Sequence, residues 1–248
     1  MEIRNANSIF HVHTYRCGHA EMVPDEAYVK KAIELGVGEI WFSDHAPFPG
    51  DPFRSRMKYD ELKEYAATLA ALKEQYRGIV TIHCGLEIEY IPSHDRAGYY
   101  RELKDDPGIE FLILGQHMAE IEPGEYTFAL TKEELQQTEY RYLSDAIVQG
   151  CSTGYFDYVA HPDRIYRRRK QWDADMESVA DTLIQSARQN KIPLELNMHS
   201  LACKHYYWPE FWNRADQNDE VVIGLDAHTI DSMTRRYQRQ LEMMSKAL

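Results

Sequence analysis

Seven short apolar runs recur along the chain with amphipathic stretches between them, and that alternation constrains the fold more than any other feature. The runs cover residues 9–10, 39–43, 79–82, 111–114, 158–160, 193–196 and 221–225. Each reads as a strand or its start, with 9–10 running on into 11–13 and 79–82 continuing through 85–87. The intervening stretches carry helix punctuation. Residues 24–35 open with Pro24 and stop at Gly36, the expected asymmetry of helix ends. Residues 60–75 place Leu62, Tyr65, Ala66, Leu69 and Leu72 on one face. Thr131 and Glu134 form a capping box for a helix predicted to stop at Gly150. Residues 92–104, 173–189 and 231–247 read as further helices, whereas 46–57 carries Pro47, Pro49, Gly50 and Pro52 and reads as a loop.

Strands that alternate with helices build βαβ units and a parallel sheet. Seven such units predict an α/β fold, a closed TIM-like barrel short by one unit. The alternative is an open doubly wound sheet, but no G-x-G-x-x-G follows the first strand. The chain of 248 residues shows no Ser/Gly-rich linker, low-complexity tract or fixed-period repeat. A single domain over 1–248 is expected, since α/β barrels of roughly 200–250 residues commonly form one.

Composition narrows the function classes. Apolar residues make up 44% and charged residues 27%, with a mean hydropathy of −0.57. These values exclude disordered, collagen-like and disulfide-scaffold chains. The net charge of −12 opposes nucleic-acid binding, which needs many Lys/Arg contacts to phosphates. A small anionic substrate remains compatible if bound cations invert the local sign. The cysteines Cys17, Cys84, Cys151 and Cys203 form no C-x-x-C pair, as in a reduced, cytoplasmic protein. The N-terminus lacks an apolar signal region, and no run approaches the ~20 apolar residues of a membrane span.

Of 11 histidines, seven fall at or just after a predicted strand end: His11, His13, His19, His45, His117, His161 and His228. Glu87 and Asp226 join them. In a parallel barrel the loops after the strands form one face, where functional groups gather. Imidazole and carboxylate are ligands for Zn, Mn and Fe. His11 and His13 are two apart on an extended segment and are expected to project the same way; Asp226 and His228 repeat the spacing. Glu87 and Glu89 also share a face, with Glu87 the better bridging ligand. A lone histidine is more often structural: His83 reads as a satisfied histidine within the third strand, and His94 and His205 read as exposed loop residues. Cys17 is expected to pack beside the site.

The ordered set His11-Val-His-Thr-Tyr-Arg-Cys-Gly-His19, Ser43-Asp-His45, Gly85-Leu-Glu87, Gly115-Gln-His117, Ala160-His161 and Leu225-Asp-Ala-His228 resembles the PHP (polymerase and histidinol phosphatase) superfamily. Cys17-Gly-His-Ala20, Asp44-His-Ala-Pro47, Arg56-Met57 and Leu194-Glu-Leu-Asn197 are most similar to its histidinol-phosphate phosphatase branch. The resemblance implies a distorted (β/α)7 barrel with three divalent ions, Zn, Mn or Fe. It assigns His11, His13, Glu87 and Asp226 to the first ion. Glu87, His117 and His161 go to the second, with Glu87 bridging. His19, His45 and His228 go to the third. The chain departs from the pattern at Leu225 and at Met198-His199-Ser200, which bears on substrate identity rather than on metal binding.

The implied reaction is hydrolysis of a small phosphate monoester, L-histidinol phosphate in histidine biosynthesis, by a metal-bridging hydroxide attacking phosphorus in line. Glu87, Asp226 and His228 are the candidate catalytic groups, with Asp226 and His228 the candidates for protonating the leaving alcohol. Another phosphoesterase of the superfamily, acting on nucleotides or other small phosphate esters, is the alternative. A metal-dependent binding module without catalysis would lack ligands, and none is missing. Arginine's planar fork suits phosphate, which makes Arg54, Arg56 and Arg164 candidate substrate contacts. His199 follows the sixth strand and is a fourth candidate. The basic run 167–170 reads mainly as a solvated face, and the aromatic stretch 206–212 as packing.

Overall fold

The computed structural model describes residues 2–3, 7–203, 205–215 and 220–247. Strands and helices alternate as β1 (Glu2–Ile3), β2 (Ser8–Val12), α1 (Asp25–Glu34), β3 (Glu39–His45), α2 (Leu62–Gln75), β4 (Thr81–Ile88), α3 (Pro92–Arg96), α4 (Tyr99–Asp105) and β5 (Phe111–Leu114). A hairpin of β6 (Glu120–Glu122) and β7 (Glu125–Tyr126) precedes α5 (Lys132–Cys151) and β8 (Tyr158–Val159). The chain continues through α6 (Ala174–Asn190), β9 (Leu194–Asn197), α7 (Met198–Ala202), α8 (Pro209–Trp212), β10 (Glu220–Ala227) and α9 (Ile230–Ala247).

The main sheet has the order β1-β10-β2-β3-β4-β5-β8-β9, and β9 also pairs with β10. Seven strands therefore close on themselves, each beside its neighbour in the chain, and β1 adds a two-residue pairing to β10. The pairs β10–β2, β2–β3, β3–β4, β5–β8 and β8–β9 are parallel. This is the expected (β/α)7 TIM-like barrel.

Contact density divides the chain into two compact units. One contains Met1–Ile3, Ile88–Asp105 and Ile113–Val222; the other contains Arg4–Glu87 together with Asp106–Leu112 and Ile223–Leu248. In the latter, Ile9, Val12, Ile40, Phe42, Ile82 and Leu86 are fully buried strand residues, and Tyr28, Val29 and Ala32 of α1 and Tyr65 and Leu69 of α2 cover them. Gly85 is required here: a Cβ would stand 2.5 Å from the Phe111 ring. In the former, Leu114, Val159 and Leu194 are buried with Leu143 and Ile147 of α5 and Leu183 and Ile184 of α6.

Three expectations need correction. The helix predicted over 92–104 is two short helices, α3 and α4, because Gly98 between them has φ +88°. The helix opened by Thr131 does not stop at Gly150 but continues through Cys151. That glycine serves packing rather than termination, since a Cβ would come within 2.9 Å of Leu114 and 3.2 Å of Tyr90. His94 lies in α3 rather than a loop and is partly buried, which lowers its pKa. Among the described residues, no helix is long and apolar enough to cross a membrane.

Candidate metal centre

Two irregularities in the parallel ladder place the first donors. From Ile9 to Val12, β2 advances three residues while β3 advances two, from Ile40 to Phe42. From Gly224 to Ala227, β10 advances three while β2 advances two. Each extra residue makes a bulge, and each bulge holds one candidate ligand in the left-handed region: His11 at φ 66° and Asp226 at φ 51°. A bulge re-aims the side chain that follows and is common beside functional sites. The expectation that His11 and His13 project together through plain alternation is therefore corrected. Their rings do approach to 5.0 Å, but the bulge turns His11.

Seven of the candidate ligands lie in the unit that runs up to Glu87 and resumes at Ile223. His13 is fully buried. Its Nε2 lies 3.5 Å from both Glu87 Oε2 and Asp226 Oδ1, and its Nδ1 lies 3.5 Å from Asp44 Oδ1. Neither ring nitrogen makes a hydrogen bond. Glu87 is buried, with its Oε2 3.4 Å from His11 Nε2 and 3.0 Å from His45 Nδ1. His228 stacks on His13 at 4.1 Å and on His19 at 4.6 Å, and its Nε2 faces His19 Nε2 at 2.9 Å. Two imidazole nitrogens that close can share one proton or one cation. Ligands on a tetrahedral zinc with Zn–N of about 2.0–2.1 Å stand roughly 3.3 Å apart, so the separation is near that of ligands on a common ion.

Three triplets of donor atoms in this unit lie within 4.8 Å of one another: His11, His13 and Asp226; His13, His45 and His228; and Cys17, His19 and His228. Burial disfavours a charged His13, but Asp226 and Asp44 outweigh it and raise its pKa. A proton on His13 and a cation among these carboxylates satisfy the same need. Burial, followed by the neighbouring His13, lowers His228 to about 2, so this ring stays neutral and keeps a lone pair to donate. Burial pushes the Cys17 thiol up to about 12, in keeping with packing beside the site. Buried lone pairs and carboxylates that converge in this way are the donor set a divalent ion requires.

The other unit holds His117 and His161, with rings 5.0 Å apart. His161 is the third candidate ligand with a left-handed backbone, at φ 33°. Its N–H donates to Glu195 Oε2 at 2.9 Å. His117 Nδ1 lies 3.1 Å from Glu89 Oε1, and its carbonyl accepts from Arg167 Nη2 at 2.9 Å. Sequence reasoning ranked Glu89 below Glu87 and gave Asp44 no role. Both are buried acids next to a candidate ligand, and the apolar strand residues around them were the available signal.

The substrate candidates are scattered. Arg56 donates to the Ala46 carbonyl at 3.0 Å and lies over Phe48 and Phe53 at 5.3 and 5.4 Å, while Arg54 is exposed. In the other unit, Arg164 lies over the Tyr206 ring at 4.8 Å, and His199 approaches that ring at 5.9 Å. Arg167 and Arg168 both bind Glu139, and Arg169 binds Asp173. Trp208, Phe211 and Trp212 are buried. Asp163 accepts from the Trp208 N–H and the Trp212 indole N–H, both at 3.0 Å.

The PHP domain family matches residues 10–199. The chain belongs to this family. A "Probable histidinol-phosphatase" of Deinococcus radiodurans is 35% identical to this PHP protein over 88% of its length and 85% of the relative's. "Histidinol-phosphatase" of Bacillus subtilis is 25% identical over 94% of this PHP protein and 97% of the relative. A crystal structure of histidinol phosphate phosphatase from Lactococcus lactis, complexed with zinc, L-histidinol and phosphate, superposes with a TM-score of 0.69 at 19% identity, covering 97% of this PHP protein and 94% of that chain. The crystal structure of the "putative histidinol phosphatase" of Listeria monocytogenes gives 0.75 at 18% identity, covering 94% and 99%. At these identities the likeness establishes the fold of the PHP domain.

Proposed function

We propose that this PHP protein is a divalent-metal-dependent phosphomonoesterase that hydrolyses L-histidinol phosphate to L-histidinol and phosphate. The observation that carries the reading is His13 Nε2, buried and equidistant at 3.5 Å from Glu87 and Asp226. A buried imidazole facing two carboxylates calls for positive charge between them, which a divalent ion would supply. The substrate comes from the relatives, two of which carry the histidinol-phosphatase name over most of their length.

His11, His13, His19, His45, Glu87, Asp226 and His228 would hold the ions, and the family pattern adds His117 and His161 to make sites for three. Divalent ions bound there supply Lewis acidity toward the phosphoryl oxygens and an activated water at neutral pH. The chain supplies the geometry. Glu87 balances cationic charge amid His11, His13 and His45. The left-handed backbones of His11 and Asp226 hold both side chains at one depth in adjacent strands. Asp226, 3.3 Å from the Nδ1 of His228, is placed to accept a proton from the attacking water and return it to the departing alkoxide, with His228 neutral by burial beside it. Arg164 and His199 flank Tyr206 and are proposed, with Arg54 and Arg56, to contact the substrate.

The test is phosphate release from histidinol phosphate, nucleotides and sugar phosphates, each with zinc, manganese or iron(II), together with metal analysis of the purified protein. Preference for histidinol phosphate supports the proposal. A preference for nucleotides or sugar phosphates replaces the substrate and leaves the chemistry. Absence of bound metal together with absence of phosphate release removes the whole reading.

A further inference from the structure

The geometry points to Asp44, held by Thr14 and Arg16, as the positioning group that fixes the tautomer of His13 and so aims its Nε2 lone pair at the metal. The inference rests on reading His13 as a metal ligand. It follows from counting donors and acceptors along one buried chain of contacts.

Arg16 has no acceptor atoms, so each of its contacts is a donation. Its Nη1 donates to Asp25 at 2.8 and 3.0 Å and to Thr14 Oγ1 at 3.2 Å. Its Nε and Nη2 donate to Glu64 at 2.9 and 3.0 Å. The guanidinium is locked between α1 and α2. Burial works against its charge, yet Glu64 and Asp25 carry its pKa above the ordinary value. Thr14 Oγ1 also accepts from the Arg16 backbone N–H at 3.4 Å.

A hydroxyl has one proton. With the arginine only donating, Thr14 directs that proton to Asp44 Oδ2, the remaining partner in hydrogen-bond contact. The other carboxylate oxygen, Oδ1, accepts from the His45 N–H at 2.9 Å and faces His13 Nδ1 at 3.5 Å. A carboxylate has nothing to donate, so with an ion on the Nε2 side, between Glu87 and Asp226, the proton of a neutral His13 belongs on Nδ1. The lone pair is then left on Nε2, the atom that faces Glu87 and Asp226. Metal-bound histidines generally give their second N–H to a carboxylate or carbonyl, which fixes the ring and raises its basicity. Here the orientation is set three side chains back, by a guanidinium that cannot change its protonation state.

The experiment compares Thr14→Val, Thr14→Ser, Asp44→Ala and His13→Ala with the wild-type chain. Zinc affinity is read by chelator competition, and the His13 Nδ1–H resonance by 1H–15N NMR of the zinc-loaded protein. Asp44→Ala and Thr14→Val are expected to weaken zinc binding about 10- to 100-fold, the usual effect of losing a partner behind a ligand. Both should expose the Nδ1–H to rapid exchange. Thr14→Ser restores the hydroxyl and both readouts. Thr14→Val is nearly isosteric and decides the matter if Asp44→Ala does not fold. Wild-type zinc affinity and an unchanged Nδ1–H signal in Thr14→Val overturn the inference. If His13→Ala still loses zinc, the metal-site reading survives that failure; if it binds zinc like the wild type, His13 is no ligand and both fall.

Discussion

His11 and Asp226 occupy matching bulges in adjacent strands, each with a left-handed backbone, at φ 66° and 51°. A side chain in that region carries a backbone cost of about 1–2 kcal/mol relative to glycine, which the surrounding ladder must hold. Glycine in an ordinary strand is the poorer choice. The order should reverse here: His11→Gly is expected to be more stable than His11→Ala by about 1 kcal/mol. Urea unfolding of the two metal-free variants measures this directly. A more stable alanine variant would mean that the bulge is not strained as described.

Glu87 stands among His11, His13 and His45, with its carboxylate oxygen 3.0–3.5 Å from a nitrogen of each ring. Glu87→Gln keeps the shape and removes the charge. We expect metal content to fall and phosphate release to drop by at least about 100-fold, beyond the usual effect of losing an outer partner. Circular dichroism should remain close to wild type, because three surrounding imidazoles tolerate an amide without a charge clash. Full zinc occupancy in a folded Glu87→Gln protein would remove Glu87 from the ligand set.

Much of the fold was legible because periodicity is a local property. The runs at 39–43 and 111–114 became β3 and β5, and the capping box at Thr131 opened α5 as expected. What escaped notice depends on contacts distant in sequence. Gly150 reads as a stop signal until Leu114 is seen against it. The β6–β7 hairpin is too short, three residues and two, for its Glu-Ile-Glu alternation to stand out. At the site, residue types at strand ends marked the histidines, Glu87 and Asp226. The bulges at His11 and Asp226 left no sequence signal, since neither position holds a glycine. Asp44 and Glu89 were quoted in the motifs, but only their distances to His13 and His117 give them work. Arg167 and Arg168 could not be told from a solvated run until Glu139 was found beneath them.

Arg167 makes the run structural. Its guanidinium joins Glu139 Oε1 at 2.7 Å to the His117 carbonyl at 2.9 Å, and Glu139 is only 3% exposed. Burial lowers its pKa despite the nearby carboxylate. Arg167→Met would leave Glu139 with the half-exposed Arg168 as its cationic partner. Removing one member of a buried ion pair costs about 3–5 kcal/mol when nothing replaces it; with Arg168 in place, about 2–3 kcal/mol is expected. Arg167→Met with Glu139→Leu should recover most of the loss. Chemical unfolding of the single and double variants provides the measurement, and a single variant as stable as wild type would refute the assignment.

Glu26 on α1 gives the clearest pH dependence away from the site. Its carboxylate accepts from the Tyr76 hydroxyl at 2.7 Å, the Gln75 amide at 2.8 Å and Lys30 at 2.9 Å. The tyrosine bond, followed by those from Lys30 and Gln75, lowers its pKa from 4.5 to about 2. A carboxyl group whose pKa is lower in the folded state stabilises the fold fully above its unfolded pKa. That contribution is lost as pH falls through the folded value. The stability gap between wild type and Glu26→Gln should therefore be constant at neutral pH and shrink below about 4.5, closing near 2. Because the group is at the surface, the gap should also narrow in high salt. A 13C NMR titration of the Glu26 carboxyl reads the same quantity without unfolding. A midpoint at the ordinary value would mean that the three donors do not hold the carboxylate in solution, and the pH-dependent gap should then be absent as well.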